Sequence, residues 1–154
     1  MNQSGFSGKT KRLCCTLLLL LGSVVVQAAD QIGFVKSISG DAFVITEGKS
    51  VKAKIGSPVY EGSLLKTAGG SSMGVTFKDE TVMSFGPNTE LVVDQYLFNP
   101  AQGKLKLNAK LAKGSLNYVS GVIAKMQPEV VSVNTPVGTI GVRGTQFVVA
   151  VEEE

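Results

Sequence analysis

From Asp30 onward the chain is divided into short β-branched and aromatic runs that recur roughly every 8 to 12 residues, each bounded by Gly, Pro, Asn or Ser. Runs this short cannot carry an apolar helical stripe over several turns, but each can bury one face of a strand. Two segments alternate cleanly: Val51, Ala53 and Ile55 against Lys52 and Lys54, and Leu105, Leu107, Ala109 and Leu111 against Lys104, Lys106, Asn108 and Lys110. Successive strand side chains point to opposite faces, so each predicts a strand with one buried and one wet face. Further strands are predicted at Ile32 to Ile38, Ala42 to Thr46, Leu64 to Thr67, Met73 to Phe77, Val82 to Phe85, Leu91 to Phe98, Leu116 to Val119, Val130 to Asn134 and Gln146 to Val151. Turn signals separate them, among them Ser39-Gly40-Asp41, Gly69-Gly70, Lys78-Asp79-Glu80 and Gly86-Pro87-Asn88. Gly121 to Pro128 fits either one helical turn or a loop ended by Pro128. The expected fold is all-β, a sandwich or rolled sheet of short antiparallel strands around one core.

The N-terminal segment reads differently. Lys9, Lys11 and Arg12 precede an apolar stretch from Leu13 to Val26, followed by Val26-Gln27-Ala28. Basic, then apolar, then small residues is the secretory pattern, so residues 1–28 are expected to be a signal peptide cut between Ala28 and Ala29, leaving one domain over 29–154. The apolar run is shorter than the roughly 20 residues that a bilayer span needs. A periplasmic or secreted product with no stable membrane span is therefore expected.

Both cysteines, Cys14 and Cys15, lie in that segment, and the chain has no His. The residues after Ala28 cannot form a Cys/His zinc or haem site, a Cys nucleophile or a Ser-His-Asp triad, and no disulfide can support them. Their basic and acidic side chains balance at twelve each, which argues against a nucleic-acid partner. No cofactor is expected and no enzyme is indicated.

Several motifs invite a functional reading. Gly138, Gly141 and Gly144 are spaced like a phosphate loop, but the segment after them reads as a strand and not as the helix that a dinucleotide needs. Gly48-Lys49-Ser50 lacks the first glycine of a P-loop, since Phe43 stands there. Asp79 and Glu80 are neighbouring carboxylates, which read as a solvated turn because a glycosidase needs its pair facing across a cleft. Glu152 to Glu154 read as an acidic end and not as a preformed cation cage. Lys104, Lys106 and Lys110 form a candidate face for an anionic glycan, set against the plainer reading of a strand guarded by lysines against edge pairing. Tyr60, Tyr96 and Tyr118 read as half-buried strand residues. Arg143, the one arginine after Ala28, reads foremost as a structural clamp, with Asp79 or Asp94 as partner, and otherwise as a ligand anchor.

Thr135-Pro136-Val137-Gly138-Thr139-Ile140-Gly141-Val142-Arg143-Gly144-Thr145-Gln146-Phe147 resembles the closing motif of FecR-type periplasmic domains, Thr-Pro, a small-residue link, then Val-Arg-Gly-Thr-x-Phe. Upstream, Gly56 to Thr67 resembles a Gly-led turn and strand of that family, and Val75 to Leu91 is similar to its central hairpin, with Asp79 and Thr81, and its Gly86-Pro87-Asn88 turn. Lys113-Gly114-Ser115-Leu116 is similar to the family's Gly before the next strand. The chain departs from the pattern at Gly62-Ser63, where Gly-Asp is common, and at Asp79-Glu80-Thr81, where Asp-Gly-Thr is common. The resemblance implies an all-β envelope domain whose motif residues Thr135, Pro136, Gly138, Arg143, Gly144, Thr145 and Phe147 are structural. Founding members are implied to relay iron-siderophore signals to a sigma factor, and that control is not expected of this chain. The expected work is binding of another envelope protein, for example by strand addition at an exposed edge; the alternatives are an anionic cell-wall or surface glycan and a signalling role in iron uptake.

Overall fold

The computed structural model describes residues 29–152. The expected signal peptide, with Ala28 on one side of its cleavage point, lies outside the described residues, and Ala29 opens them as an exposed residue. The described chain forms twelve strands: β1 Gln31–Ser39, β2 Ala42–Thr46, β3 Lys49–Lys52, β4 Pro58–Tyr60, β5 Leu64–Thr67, β6 Ser72–Phe77, β7 Val82–Phe85, β8 Glu90–Asn99, β9 Lys104–Val119, β10 Val131–Thr135, β11 Gly138–Gly141 and β12 Gln146–Val151. One short helix, α1 (Val122–Met126), lies between β9 and β10.

β9 organises the rest. Its first part pairs with β8 on one side and β10 on the other, and its second part pairs with β7 and β12. The sheet is thereby rolled into two wings that share β9, one ordered β3-β2-β5-β8-β9-β10-β11 and the other β4-β1-β6-β7-β9-β12. In the first wing Leu105, Leu107, Ala109 and Leu111 are buried, whereas in the second the buried residues are Leu116 and Tyr118. The change from odd to even positions keeps the same face inward across the bend.

The bend falls at Gly114, whose φ is 87°. A Cβ there would overlap Thr89 Cα, so both the backbone angle and the close approach require glycine. The extra residue is a bulge, because the β8 register slips between Glu90, opposite Lys113, and Leu91, opposite Leu111. Thr89 holds the corner. Its hydroxyl accepts from Ser115 N at 3.0 Å and donates to Gly86 O at 2.9 Å, while its amide donates to Thr67 Oγ1 at 2.9 Å. Gly86, Pro87 and Asn88 thus form a tight turn at the bend, with Asn88 at φ 51° and its amide bonded to Ala68 O.

The all-β expectation holds, with four differences in detail. The two strands predicted at Leu105 to Leu111 and Leu116 to Val119 are one continuous strand. The β9–β10 pair is parallel, because α1 and the turn at Pro128–Val130 carry the chain back along β9 before β10 begins. β4 and β11 have too few apolar residues to stand out in the sequence. The alternation at Val51, Ala53 and Ile55 is not a half-buried strand: β3 ends at Lys52, Ala53 is buried, and Val51 and Ile55 are exposed. A turn closed by Ser57 N on Lys54 O interrupts it.

Candidate functional site

The central hairpin joins β6 to β7. Phe77 N donates to Thr81 O and Glu80 N to Phe77 O, and Glu80 sits at φ 66°, the position glycine would favour. The hairpin therefore closes without the family's usual glycine, with Glu80 exposed. Asp79 corrects the solvated-turn expectation, since it has no exposed surface.

Both carboxylate oxygens of Asp79 are met by donors. Tyr96 OH donates to Oδ1 at 2.9 Å, and Thr81 Oγ1 and Ile123 N donate to Oδ2 at 2.7 and 3.2 Å. Asp79 N in turn donates to Tyr96 OH, and Asp79 O accepts from Val122 N at 2.6 Å. Gly121, the residue before α1, has no side chain with which to cap the helix, so Asp79 of a distant hairpin meets its first two amides, Val122 N with its carbonyl and Ile123 N with its carboxylate. The approach is close, since a Cβ on Gly121 would overlap Thr81 N.

Burial, and then the Asp79 charge, push the Tyr96 phenol well above its usual range. Burial also pushes the Tyr118 phenol up, and its hydroxyl is buried without a hydrogen-bond partner among the described residues. The rings stack in two pairs, Phe77 on Tyr96 with centroids 5.6 Å apart and Tyr118 on Phe147 at 5.0 Å. Neither Tyr96 nor Tyr118 is half-buried as expected; their exposures are 8% and 0%. This cluster resembles an acid/base site in its residue types, but it is buried, and both oxygens of its carboxylate are already taken by donors. It pins a hairpin, a helix and a strand together.

The closing motif is used in the same way over most of its length. Thr135 Oγ1 donates to Gly138 O across the β10–β11 turn, where Pro136 is exposed. Gly144 has φ 121°, and its carbonyl accepts from Ser120 Oγ at 2.7 Å, while Thr145 O accepts from Ser120 N at 2.8 Å. Val142 is buried, and Phe147 reaches Tyr118. Arg143 departs from its expected role. It is exposed and makes no hydrogen bond or ion pair with another described residue. Asp79 is sealed off by its own donors and Asp94 is exposed on β8, so neither is clamped.

Arg143 lies on an open groove of about 440 Å³ shared with Glu129, Ser132, Thr139 and Val142. A second, apolar groove of about 210 Å³ lies among β2, β3 and β4, lined by Val44, Val51, Pro58 and Tyr60. Lys104, Lys106 and Lys110 share the exposed face of β9. Lys110 does not guard an edge, because β8 and β10 flank it; Lys104 and Lys106 precede the stretch that β10 covers and pair with β8 alone, and Lys49 and Lys52 lie on the outer strand β3. No group of three or more His, Cys, Asp or Glu among the described residues is placed to hold a metal ion. The structural roles of Thr89, Tyr96, Ser120 and Gly121 carry no clear mark in the sequence. Tyr96 is offset from Leu91 and Val93 by a bulge at Val93/Gln95 that breaks the alternation by which a buried residue is recognised.

Fold and motifs together define a rolled all-β domain whose marked polar residues are spent on corners and crossings. The family model described as FecR protein matches residues 63–154, and the chain belongs to that family. The match begins just before β5 and takes in the central hairpin, the β9 bend and the closing motif. No curated protein and no solved structure matches the chain. No helix among the described residues is long and apolar enough to cross a membrane.

Proposed function

We propose that this FecR-family domain works outside the cytoplasm as a protein-recognition module of the bacterial envelope, taking a partner strand onto the outer edge of β12. One observation carries the reading: the four outer strands of the two wings are unequally protected. β3 carries Lys49 and Lys52, β4 is three residues long and begins with Pro58, and β11 is four residues long with glycine at both ends. β12 is six residues, Gln-Phe-Val-Val-Ala-Val, with no charge, proline or glycine, and among the described residues it pairs only with β9. Val148 on its outward face is 70% exposed. Such an edge offers main-chain donors and acceptors in a row, which is what strand addition uses.

The lysine face of β9 has no second observation that favours a glycan. A photo-crosslinking residue placed at Val148, compared with one at Val51 on β3, tests the reading in cells. An adduct of defined mass at Val148 and none at Val51 is expected. Equal labelling at both positions, or none at Val148, contradicts it.

A further inference from the structure

We infer that the groove beside β10 and β11 binds a short peptide with both ends free, its carboxylate on Arg143, its ammonium on Glu129 and its main chain along the outer edge of β11. The site is separate from the β12 edge and does not rest on strand addition there. Arg143 is the one charged side chain of the closing motif, and the fold gives it no partner among the described residues.

Both charges are mounted on fixed backbone. Val142, just before Arg143, is buried, and just after it Gly144 O and Thr145 O accept from Ser120. Glu129 is the middle residue of the turn Pro128–Val130, which Val131 N closes on Pro128 O. Glu129 and Arg143 line the same groove of about 440 Å³ and are exposed. Neither side chain makes an ion pair or hydrogen bond with another described residue, so they do not neutralise each other. A guanidinium offers a fork of donors that fits a carboxylate, and a carboxylate accepts from an ammonium. A ligand with one sign of charge would satisfy one of the pair and be repelled by the other, so a zwitterion fits better than a phosphate or an acidic glycan.

The main-chain edge selects a peptide over a single amino acid. The two-residue turn Pro136-Val137 makes Thr135 and Gly138 a hydrogen-bonded pair, and by alternation Val133 and Ile140 are the next. Thr139 and Gly141 are left with N–H and C=O turned to the outer edge of β11, which has no partner strand among the described residues. Both residues line the groove, and no atom lies within 4 Å of where a Cβ on Gly141 would stand. Two residues apart on one edge, they present the donors and acceptors that an extended peptide of two or three residues takes up. β11 is only four residues long, too short for a long added strand but sufficient for a ligand of this size.

The test is a titration of the purified chain, followed by two-dimensional amide NMR, with trialanine, N-acetylated trialanine, trialanine amide and free alanine. Trialanine is expected to bind with a dissociation constant on the order of 1 mM and to shift the amides of Ser132, Thr139, Gly141 and Arg143 but not those of β3. Blocking either end should raise the constant about fivefold, and free alanine should bind at least about tenfold more weakly. Arg143→Gln should make binding indifferent to amidation while leaving it sensitive to acetylation, and Glu129→Gln should do the converse. Both positions are exposed, and unchanged amide shifts outside the groove check that each variant is folded. No shift in the groove up to about 20 mM trialanine, equal binding of the blocked peptides, or alanine binding as tightly as trialanine overturns the inference from the wild type alone.

Discussion

A carboxylate with no exposed surface has to be met by donors on both oxygens, and Asp79 is met by Tyr96, Thr81 and the first turn of α1. Asp79→Asn keeps the size but turns one oxygen into a donor facing other donors, so a loss of about 2–3 kcal/mol in urea unfolding is expected. Sequence alone could not separate Asp79 from Glu80. The two are adjacent in a polar turn, and only the return of Gly121 and α1 over the hairpin decides which is buried. Arg143 fails in the opposite sense: isolation among apolar residues suggested a buried clamp, but the exposed link between β11 and β12 leaves it free of Asp79 and Asp94.

Tyr96 and Tyr118 make this cluster sensitive to alkali. Both phenols are raised above their unfolded value of about 10, so the folded state holds protons that the unfolded state releases. Their contribution is fully present below pH 10 and is lost as pH rises beyond it. A pH series of urea midpoints is expected to fall above about pH 10, and Tyr118→Phe should make the fall shallower. The same change should cost less than about 1 kcal/mol at pH 7, because the hydroxyl has Thr81 and Ser120 near it but makes no hydrogen bond of ordinary geometry.

Among the elements, β9 decides the architecture. Its inward face was legible as far as Leu111, because strict alternation is the strongest signal that a strand can send. The continuation through the bend was not legible, since a bulge shifts the alternation by one and looks like the end of one strand and the start of another. Two glycine substitutions separate bending from crowding. Gly114→Ala meets both a left-handed φ of 87° and the Thr89 backbone, and should cost about 3 kcal/mol or more. Gly103→Ala, at φ 64° with no atom within 4 Å of the added Cβ, should cost only about 1–2 kcal/mol. Comparable losses for the two in denaturant unfolding would mean that contact with Thr89 does not set the corner.

At the scale of the whole molecule, the family match covers β5 to β12, yet the core draws Ile32, Val35, Val44 and Val59 from the strands before it. β1 pairs with β6 and β2 with β5, so these early strands complete both wings. All-β class and most strand positions could be read from the sequence. Which edge is left open could not, because that depends on pairings between residues far apart in the chain. The closing Val-Arg-Gly-Thr-x-Phe motif links two consequences of that topology: Gly144 and Phe147 fasten β12 to β9, and Arg143 is left beside its open edge.

Hydrogen exchange resolved to single amides, compared between the purified chain and the chain bound to the protein crosslinked at Val148, tests whether that edge is where a partner strand adds. Slowing of alternate β12 amides, those not bonded to β9, with no change along β3 is the expected result. Exchange in β12 that the bound protein leaves unchanged, or slowing along β3 instead, would contradict it.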